Sequence, residues 1–295
     1  MLTKKQFDIL AALTEKDAPM TLEELAASAG CGVPEAEDIL SGLVDKKLLE
    51  GRALTAQGYE ALEPYRVKRA VFMAAGFGSR LMPVTEKTPK PLVTVRGRRI
   101  IDTMLDALLA AGITEIYIVR GYLAAQFDAL REKYPTVSFI ENPEYDQANN
   151  ISSALRAREH LSGAYILDAD LFLKNPRLIS RYQYSSNYLG VPVERTDDWC
   201  LFVRDGRIDR VALGGENCHA WVGISYWTER DGARLAEDIS RVYGQPGGRA
   251  KYWDLVPLEC CKETYSIGVR ECSAEDIIEI DTLDELKKLD GSYGP

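Results

Sequence analysis

The spacing of apolar residues changes character close to residue 66. Before that point apolar positions recur every three to four residues, the period of an amphipathic helix. Phe7, Ile9, Leu10 and Leu13 mark one face of a helix over Lys4–Glu15. Thr21-Leu22-Glu23-Glu24 has capping-box spacing, Thr at the cap and Glu three residues on, so a helix is predicted to open "LEELAASAG". "VPEAEDILSGLVDKKLLE" reads as a further amphipathic helix, "LLEGRALT" as a short hairpin and "AQGYEALEPY" as a closing helix.

From Val67 onward apolar runs of strand length alternate with helical patterns. "RAVFMAAG", "EIYIVRG", "VSFIEN" and "AYILDAD" read as strands. "IIDTMLDALLAAG", "LAAQFDALREKY" and "ISSALRAREHL" read as the helices between them. This rhythm predicts an α/β domain with a Rossmann-like, mostly parallel sheet and ligands at the carboxyl ends of its strands. Beyond Asp170 "YLGVPVE", "WCLFVRDGRIDRVAL" and "AWVGISYWT" predict an antiparallel distal insertion, with a turn at Asp205-Gly206. "GARLAEDISRVYG" and "AEDIIEIDTLDELKKL" predict the last helices. The expected division is 1–66 and 67–295, without internal repeats or low-complexity tracts.

Composition narrows the function classes. With 46% hydrophobic and 27% charged residues over 295 positions, the chain has enough apolar material for a sizeable core. No apolar run approaches the length of a bilayer-spanning helix, and no secretory apolar core follows Met1. A cytoplasmic protein is therefore expected. The six cysteines contain no C-x-x-C pair, and with two histidines beside them a zinc site is not expected. His160 and His219 suggest no catalytic role. A net charge of −9 argues against general nucleic-acid binding.

The stretch with most chemistry is "VFMAAGFGSRLMPVTEKTPKPL". A buried strand runs out at Ala74-Ala75-Gly76, where small residues let a flat ligand lie on the backbone. Gly76 and Gly78 permit positive φ and close approach of N–H groups to anionic oxygens. Arg80 offers a forked cation and Lys90 a compact one, with Pro83, Pro89 and Pro91 restricting the backbone around it. The dinucleotide fingerprint needs glycine where Leu81 stands, and a Walker loop needs a Gly-Lys pair. The string A-A-G-x-G-x-R-L-x-P-x-T-x-x-x-P-K-P-L instead resembles the signature of nucleotidyltransferases that activate sugar phosphates and related phosphomonoesters with an NTP. That resemblance spans Arg69 to about Leu289.

The resemblance implies a triphosphate wrapped by the loop and Mg²⁺ held by carboxylates. Asp168 and Asp170 end the strand "YILDAD" on one face; by similarity Asp170 is a metal ligand and Asp168 a supporting residue. Asp281 in "IIEIDT" occupies the kind of position where the family has its second metal carboxylate. Its competing reading is an N-cap for "LDELKKL".

All four tryptophans fall in the distal half. Aromatic faces with a nearby carboxylate suit a quaternary ammonium, although any single buried aromatic is more often core. The ordered segments "AAGFGSRL", "TPKPL", "VRGYLAAQFD", "YDQANNISSAL", "ILDAD", "DDW", "GISYW", "KYWD" and "EID" closely resemble bacterial CTP:phosphocholine cytidylyltransferases. This implies cytosine near Ala74–Gly76 and the Asn149, Asn150, Ser152 segment, and choline in an aromatic box. Trp199 and Trp253 are candidate walls, Asp254 a charge partner, and Tyr226 and Trp227 further candidates on opposite faces of one strand. The implied substrates are CTP and phosphocholine. Phosphoethanolamine, 2-aminoethylphosphonate or a sugar 1-phosphate stay open as acceptors.

The N-terminal order of helices and small wing resembles a winged helix-turn-helix. Residues 1–66 nevertheless carry seven Lys/Arg against twelve Asp/Glu. Glu35, Glu37 and Asp38 would stand where DNA phosphates belong, so nucleic acid is not expected there. A docking, homo-oligomerisation or regulatory module fits better; a ligand-sensing DNA-binding regulator is the non-enzyme alternative.

Overall fold

The computed structural model describes residues 1–15 and 20–294. The chain divides into two compact units, Met1–Val67 with Ser180–Tyr184, and Lys68–Ile179 with Ser185–Pro295. In the first unit, Lys4–Glu15 (α1), Leu22–Ser28 (α2) and Val33–Asp45 (α3) precede a hairpin of Leu49–Glu50 (β1) and Ala53–Leu54 (β2), then Ala56–Leu62 (α4). The capping box forms as its spacing requires: Thr21 Oγ1 accepts from Glu24 N at 3.2 Å, and Thr21 N donates to Glu24 Oε2 at 2.8 Å. Phe7, Ile9, Leu10, Leu25, Leu43 and Leu62 form the middle of this unit's core. Lys16 and Asp17, counted in its charge balance, lie outside the described residues.

The second unit opens with Arg69–Ala74 (β3), whose continuous apolar run is buried on both faces, as a central parallel strand must be. A small hairpin, Thr94–Val95 (β4) and Arg98–Arg99 (β5), leads into Ile100–Ala110 (α5). Glu115–Arg120 (β6), Val137–Glu141 (β7), Ile151–Arg156 (α6), Ala164–Asp168 (β8) and Leu171–Leu173 (β9) follow. The long strands Asn187–Arg204 (β10) and Arg207–Trp227 (β11) lead to Glu229–Tyr243 (α7), Gly268–Glu271 (β12), Ile277–Glu279 (β13) and Leu283–Leu289 (α8). The seven-stranded sheet has the order β12-β10-β11-β8-β3-β6-β7. Strands β8, β3, β6 and β7 are mutually parallel, and β11 runs antiparallel to β8 and β10. This is the expected α/β class, with an antiparallel distal part.

The distal hairpin turns at Asp205-Gly206, both with positive φ, as its Asp-Gly pair predicts. It then folds on itself: Leu201 pairs with Val211 on one side and His219 on the other. Two local assignments differ from the sequence reading. "LAAQFDALREKY" forms 3-10 turns over Ala124–Glu132 after a left-handed Leu123, not an α-helix. In "AEDIIEIDTLDELKKL" Ile277, Ile278 and Glu279 pair with β9 as strand β13, and only Leu283–Leu289 is helical. No helix among the described residues is long and apolar enough to cross a membrane.

Trp227 has no exposed surface and sits within a large core cluster, its ring packed against Tyr188, Trp253 and Tyr265. Trp227→Ala should destabilise the protein by about 3–5 kcal/mol, read from denaturant unfolding.

Candidate active site

The chain leaves β3 toward β6 and returns to β8 on the other side, so a crevice forms at the carboxyl ends of these strands. A cavity of about 820 Å³ occupies it. Its near wall is the loop from Met73 to Arg80 with Lys90; its far wall combines Trp199, Trp221 and Tyr252.

Within the loop only Gly78 needs its glycine for backbone reasons. It sits at φ 61°, and an added Cβ would come within 2.9 Å of Lys90 Cβ. Gly76 was expected to share this role, but its φ is not positive and it faces open space. Its lack of a side chain keeps the cavity floor flat. Thr85 Oγ1 donates to Gly78 O at 2.9 Å and ties the loop to the segment that carries Lys90.

Lys90 is buried, and its ammonium donates to Asp170 Oδ2 and to Asp281 Oδ1, each at 2.8 Å. Burial opposes its charge, but the two carboxylates outweigh burial and hold its pKa above the usual lysine value. Arg80 reaches the same Asp281 oxygen at 2.7 Å from an exposed position. The pairing of β13 with β9 delivers Asp281: Ile280 N donates to Asp170 O at 3.2 Å, which sets the two acidic residues side by side. The helix-capping alternative for Asp281 does not hold. Thr282 caps α8 in a complete capping box with Glu285, which leaves the Asp281 carboxylate to the lysine.

Carboxylate oxygens of Asp170, Glu279 and Asp281 lie within 4.8 Å of one another. Asp170 Oδ1 is buried with no hydrogen-bond partner among the described residues. An all-oxygen donor set with one orphaned buried oxygen fits a hard divalent cation such as Mg²⁺. Glu279 was not anticipated; its two-residue spacing from Asp281 beyond an apolar run was the available signal.

On the far side three rings meet nearly edge to face. Trp199 lies 6.3 Å from Trp221 at 79° and 6.3 Å from Tyr252 at 68°. Asp168 and Asp254 also line the cavity, and Tyr188 donates its hydroxyl to Asp254 Oδ1 at 2.9 Å. Burial pushes the Asp254 carboxyl up to about 7, with the Tyr188 hydrogen bond pulling the other way. Removal from water, followed by the nearby Asp170 and Asp254 charges, raises Asp168 well above the usual carboxylate range. The β10 ladder on β11 skips Gly223 and Ile224, and a Cβ on Gly223 would fall 2.2 Å from Asp168 Oδ2.

Residues 69–178 match the family model described as nucleotidyl transferase. A 2-aminoethylphosphonate cytidylyltransferase from Lancefieldella rimae is 37% identical over 228 residues, 76% of this chain and 92% of the relative. A choline-phosphate cytidylyltransferase from Streptococcus pneumoniae is 30% identical over 223 residues, 75% of this chain and 96% of the relative. The chain belongs to the nucleotidyltransferase family. A solved structure of the CTP:phosphocholine cytidylyltransferase from Streptococcus pneumoniae superposes with a TM-score of 0.71 at 32% identity, over 77% of this chain and 99% of that one.

In this nucleotidyltransferase most of the residues singled out in the sequence gather around one cavity. Ala74, Ala75, Gly76, Gly78, Arg80, Lys90, Asn149, Asn150, Ser152, Asp168, Asp170, Trp199, Asp254 and Asp281 all line it. Three aromatic candidates do not. Trp227 is fully buried with its indole N–H donating to Ser225 Oγ, and Tyr226 packs edge-on against Tyr165. Trp253 turns into the core while its neighbours Tyr252 and Asp254 line the cavity. The wall residues missed in the sequence are Trp221 and Tyr252. Trp221 stands two residues from Gly223 on β11, a spacing that gives a shared face.

Gly223→Ala should force the Asp168 carboxylate from its place and reduce kcat/KM at least tenfold, while the unfolding midpoint moves much less than in Trp227→Ala. Steady-state kinetics beside thermal unfolding checks both halves.

Proposed function

We propose that this nucleotidyltransferase transfers CMP from CTP to phosphocholine, giving CDP-choline and pyrophosphate. The observation that carries the acceptor side is the group of three aromatic faces, Trp199, Trp221 and Tyr252, beside the Asp254 carboxyl. A trimethylammonium head has no N–H to donate, so it is held by ring faces and charge. Its arrival would favour the ionised form of Asp254, which burial alone disfavours.

On the donor side the loop backbone and Arg80 would hold the triphosphate, with cytosine toward Ala74–Gly76. Lys90 would contact the phosphoryl group under attack. Its two carboxylate partners fix the ammonium before substrate arrives, so little reorganisation accompanies charge development. Asp170 and Asp281, with Glu279 beside them, would hold Mg²⁺, with Asp168 in support. The ion supplies charge neutralisation at the phosphates as pyrophosphate departs. The acceptor's phosphate oxygen is already anionic near neutral pH, so the reading needs no protein base and no covalent intermediate. The protein contributes alignment and a preorganised field. Residues 1–66 are read in the same proposal as a docking, oligomerisation or regulatory module.

A second acceptor reading, 2-aminoethylphosphonate, is favoured by the 37% identity to the Lancefieldella rimae enzyme. A primary ammonium needs hydrogen-bond acceptors as well as rings, and Asp168 and Asp254 are the candidates at hand. Pyrophosphate release with CTP, ATP, GTP and UTP against phosphocholine, phosphoethanolamine, 2-aminoethylphosphonate and a sugar 1-phosphate separates the readings. CTP with phosphocholine should give the highest kcat/KM. A clear preference for 2-aminoethylphosphonate would move the assignment to the second reading.

Lys90→Ala and Asp170→Ala should each abolish pyrophosphate release with the far-ultraviolet circular dichroism unchanged. Near-normal turnover in either would sink the catalytic roles. Trp199→Ala should raise the phosphocholine KM about tenfold or more with the CTP KM nearly constant, as loss of one cation–π wall requires.

A further inference from the structure

The Asn149-Asn150 pair was read from the sequence as a base-recognition element, but its hydrogen bonds lead elsewhere. Asn149 N donates to Arg249 O at 2.8 Å, and Asn149 Nδ2 donates to Ala250 O at 3.2 Å. Asn149 Oδ1 accepts from Asn150 N at 2.7 Å, which fixes the amide's orientation. Asn150 Oδ1 accepts from Trp253 N at 2.9 Å. Three bonds therefore run from this pair to the segment 249–253, about a hundred residues further along the chain.

That segment carries the acceptor wall. Tyr252 and Asp254 line the cavity on either side of Trp253, whose ring is buried in the core. The segment has no ladder to hold it, because Lys251 to Asp254 form bends and turns rather than a strand. Beside short-range bonds such as Leu255 N to Tyr252 O and Val256 N to Trp253 O, it is held by the buried Trp253 ring and by the Asn150 carboxamide. Behind the pair, Ser152 Oγ donates to Asn149 O at 2.8 Å, and Asn142 Nδ2 donates to Ser152 Oγ at 3.0 Å. Asn142 itself lines the cavity at the end of β7. The path thus begins on the parallel sheet and ends at the Trp253 backbone, between Tyr252 and Asp254.

We propose that Asn149 and Asn150 are positioning residues for the acceptor site: they brace the Tyr252–Asp254 segment from the nucleotide half of the cavity and set the distance between the aromatic wall and the donor phosphates. This inference rests on the proposed cytidylyl transfer to a cationic phosphomonoester. It departs from that reading in assigning these two amides to the acceptor rather than to cytosine. In-line transfer needs both substrates aligned, so a brace that spans the two halves acts on acceptor affinity without touching the acceptor.

The discriminating variants are Asn150→Ala and Asn150→Asp. The alanine removes the acceptor atom for Trp253 N; the aspartate keeps an oxygen in its place but replaces the amide N–H₂ that reading a base would use. Asn150→Ala should raise the phosphocholine KM about tenfold, the scale of one partly buried hydrogen bond lost, with the CTP KM changed less than about twofold. Asn150→Asp should return most of the phosphocholine KM. A CTP KM that rises as much as the phosphocholine KM, or an aspartate variant no better than alanine, overturns the brace and restores the base-reading role.

A readout independent of turnover keeps the two proposals separate. Protection of the Trp253 amide against hydrogen exchange should fall in Asn150→Ala and recover in Asn150→Asp, at unchanged global unfolding free energy. Unaltered protection in Asn150→Ala refutes the brace whatever the substrate proves to be. Retained protection changes alongside absent CTP turnover would refute the cytidylyl assignment and leave the brace standing.

Discussion

One buried ammonium organises this site. Lys90 is withdrawn from water and held by two carboxylates more than a hundred residues apart in the chain, Asp170 after β8 and Asp281 after β13. A buried cation is tolerated only when such partners are in place, and each carboxylate likewise needs the cation. Much of the surrounding structure follows from meeting that condition. Gly78 gives up its side chain where Lys90 passes, Thr85 ties the loop to the segment bearing the lysine, and the short β9–β13 ladder brings the second acid to the first. The orphaned oxygen of Asp170 and the adjacent Glu279 leave the cluster richer in acids than the lysine balances, which is the imbalance a divalent cation corrects.

The distal wall obeys a different rule. Its rings are set by packing, with Tyr188 as the shared neighbour: it stacks near Trp253, meets Trp221 and Trp227 edge-on, and donates its hydroxyl to Asp254. One half of the cavity is thus fixed by charge pairing and the other by aromatic packing and a few hydrogen bonds. The two halves respond to different substitutions. Removing a charge near Lys90 strands its partners, whereas trimming a ring that faces the cavity leaves the surrounding core in place.

The loop chemistry and the parallel sheet were legible in the sequence because both are local. Val71-Phe72-Met73 runs into small residues and glycine, and the prolines around Lys90 fall at fixed intervals. Asp281 was legible as an acid at a strand end, though its release from capping duty needed the Thr282–Glu285 bonds to be seen. The aromatic wall was much harder to read. Trp199, Trp221, Trp227 and Trp253 have the same chemistry, and which of them face the cavity is decided by register and turn geometry. On β11 Trp221 and Trp227 have the same parity, so alternation alone does not separate the ring that lines the cavity from the one packed in the core, and the turn at Trp253-Asp254 aims Trp253 inward while its neighbours line the cavity. The amides of Asn149 and Asn150 illustrate the same limit, since their partners lie far away in sequence. The helical reading of "LAAQFDALREKY" failed for a local reason: its first residue, the left-handed Leu123, leads into tighter 3-10 turns.

Gly223 shows how such a site can be shaped by omission. The carboxylate of Asp168 stands in the volume that the side chain of any other residue would occupy, so the acid is admitted to the floor of the cavity by a missing methyl group. The position carries no reactive atom, yet it governs how far a carboxylate can reach into the cavity. The cavity therefore tolerates a change of side chain at Leu213, which borders it and is largely exposed, better than at Gly223, where any added carbon meets the Asp168 carboxylate.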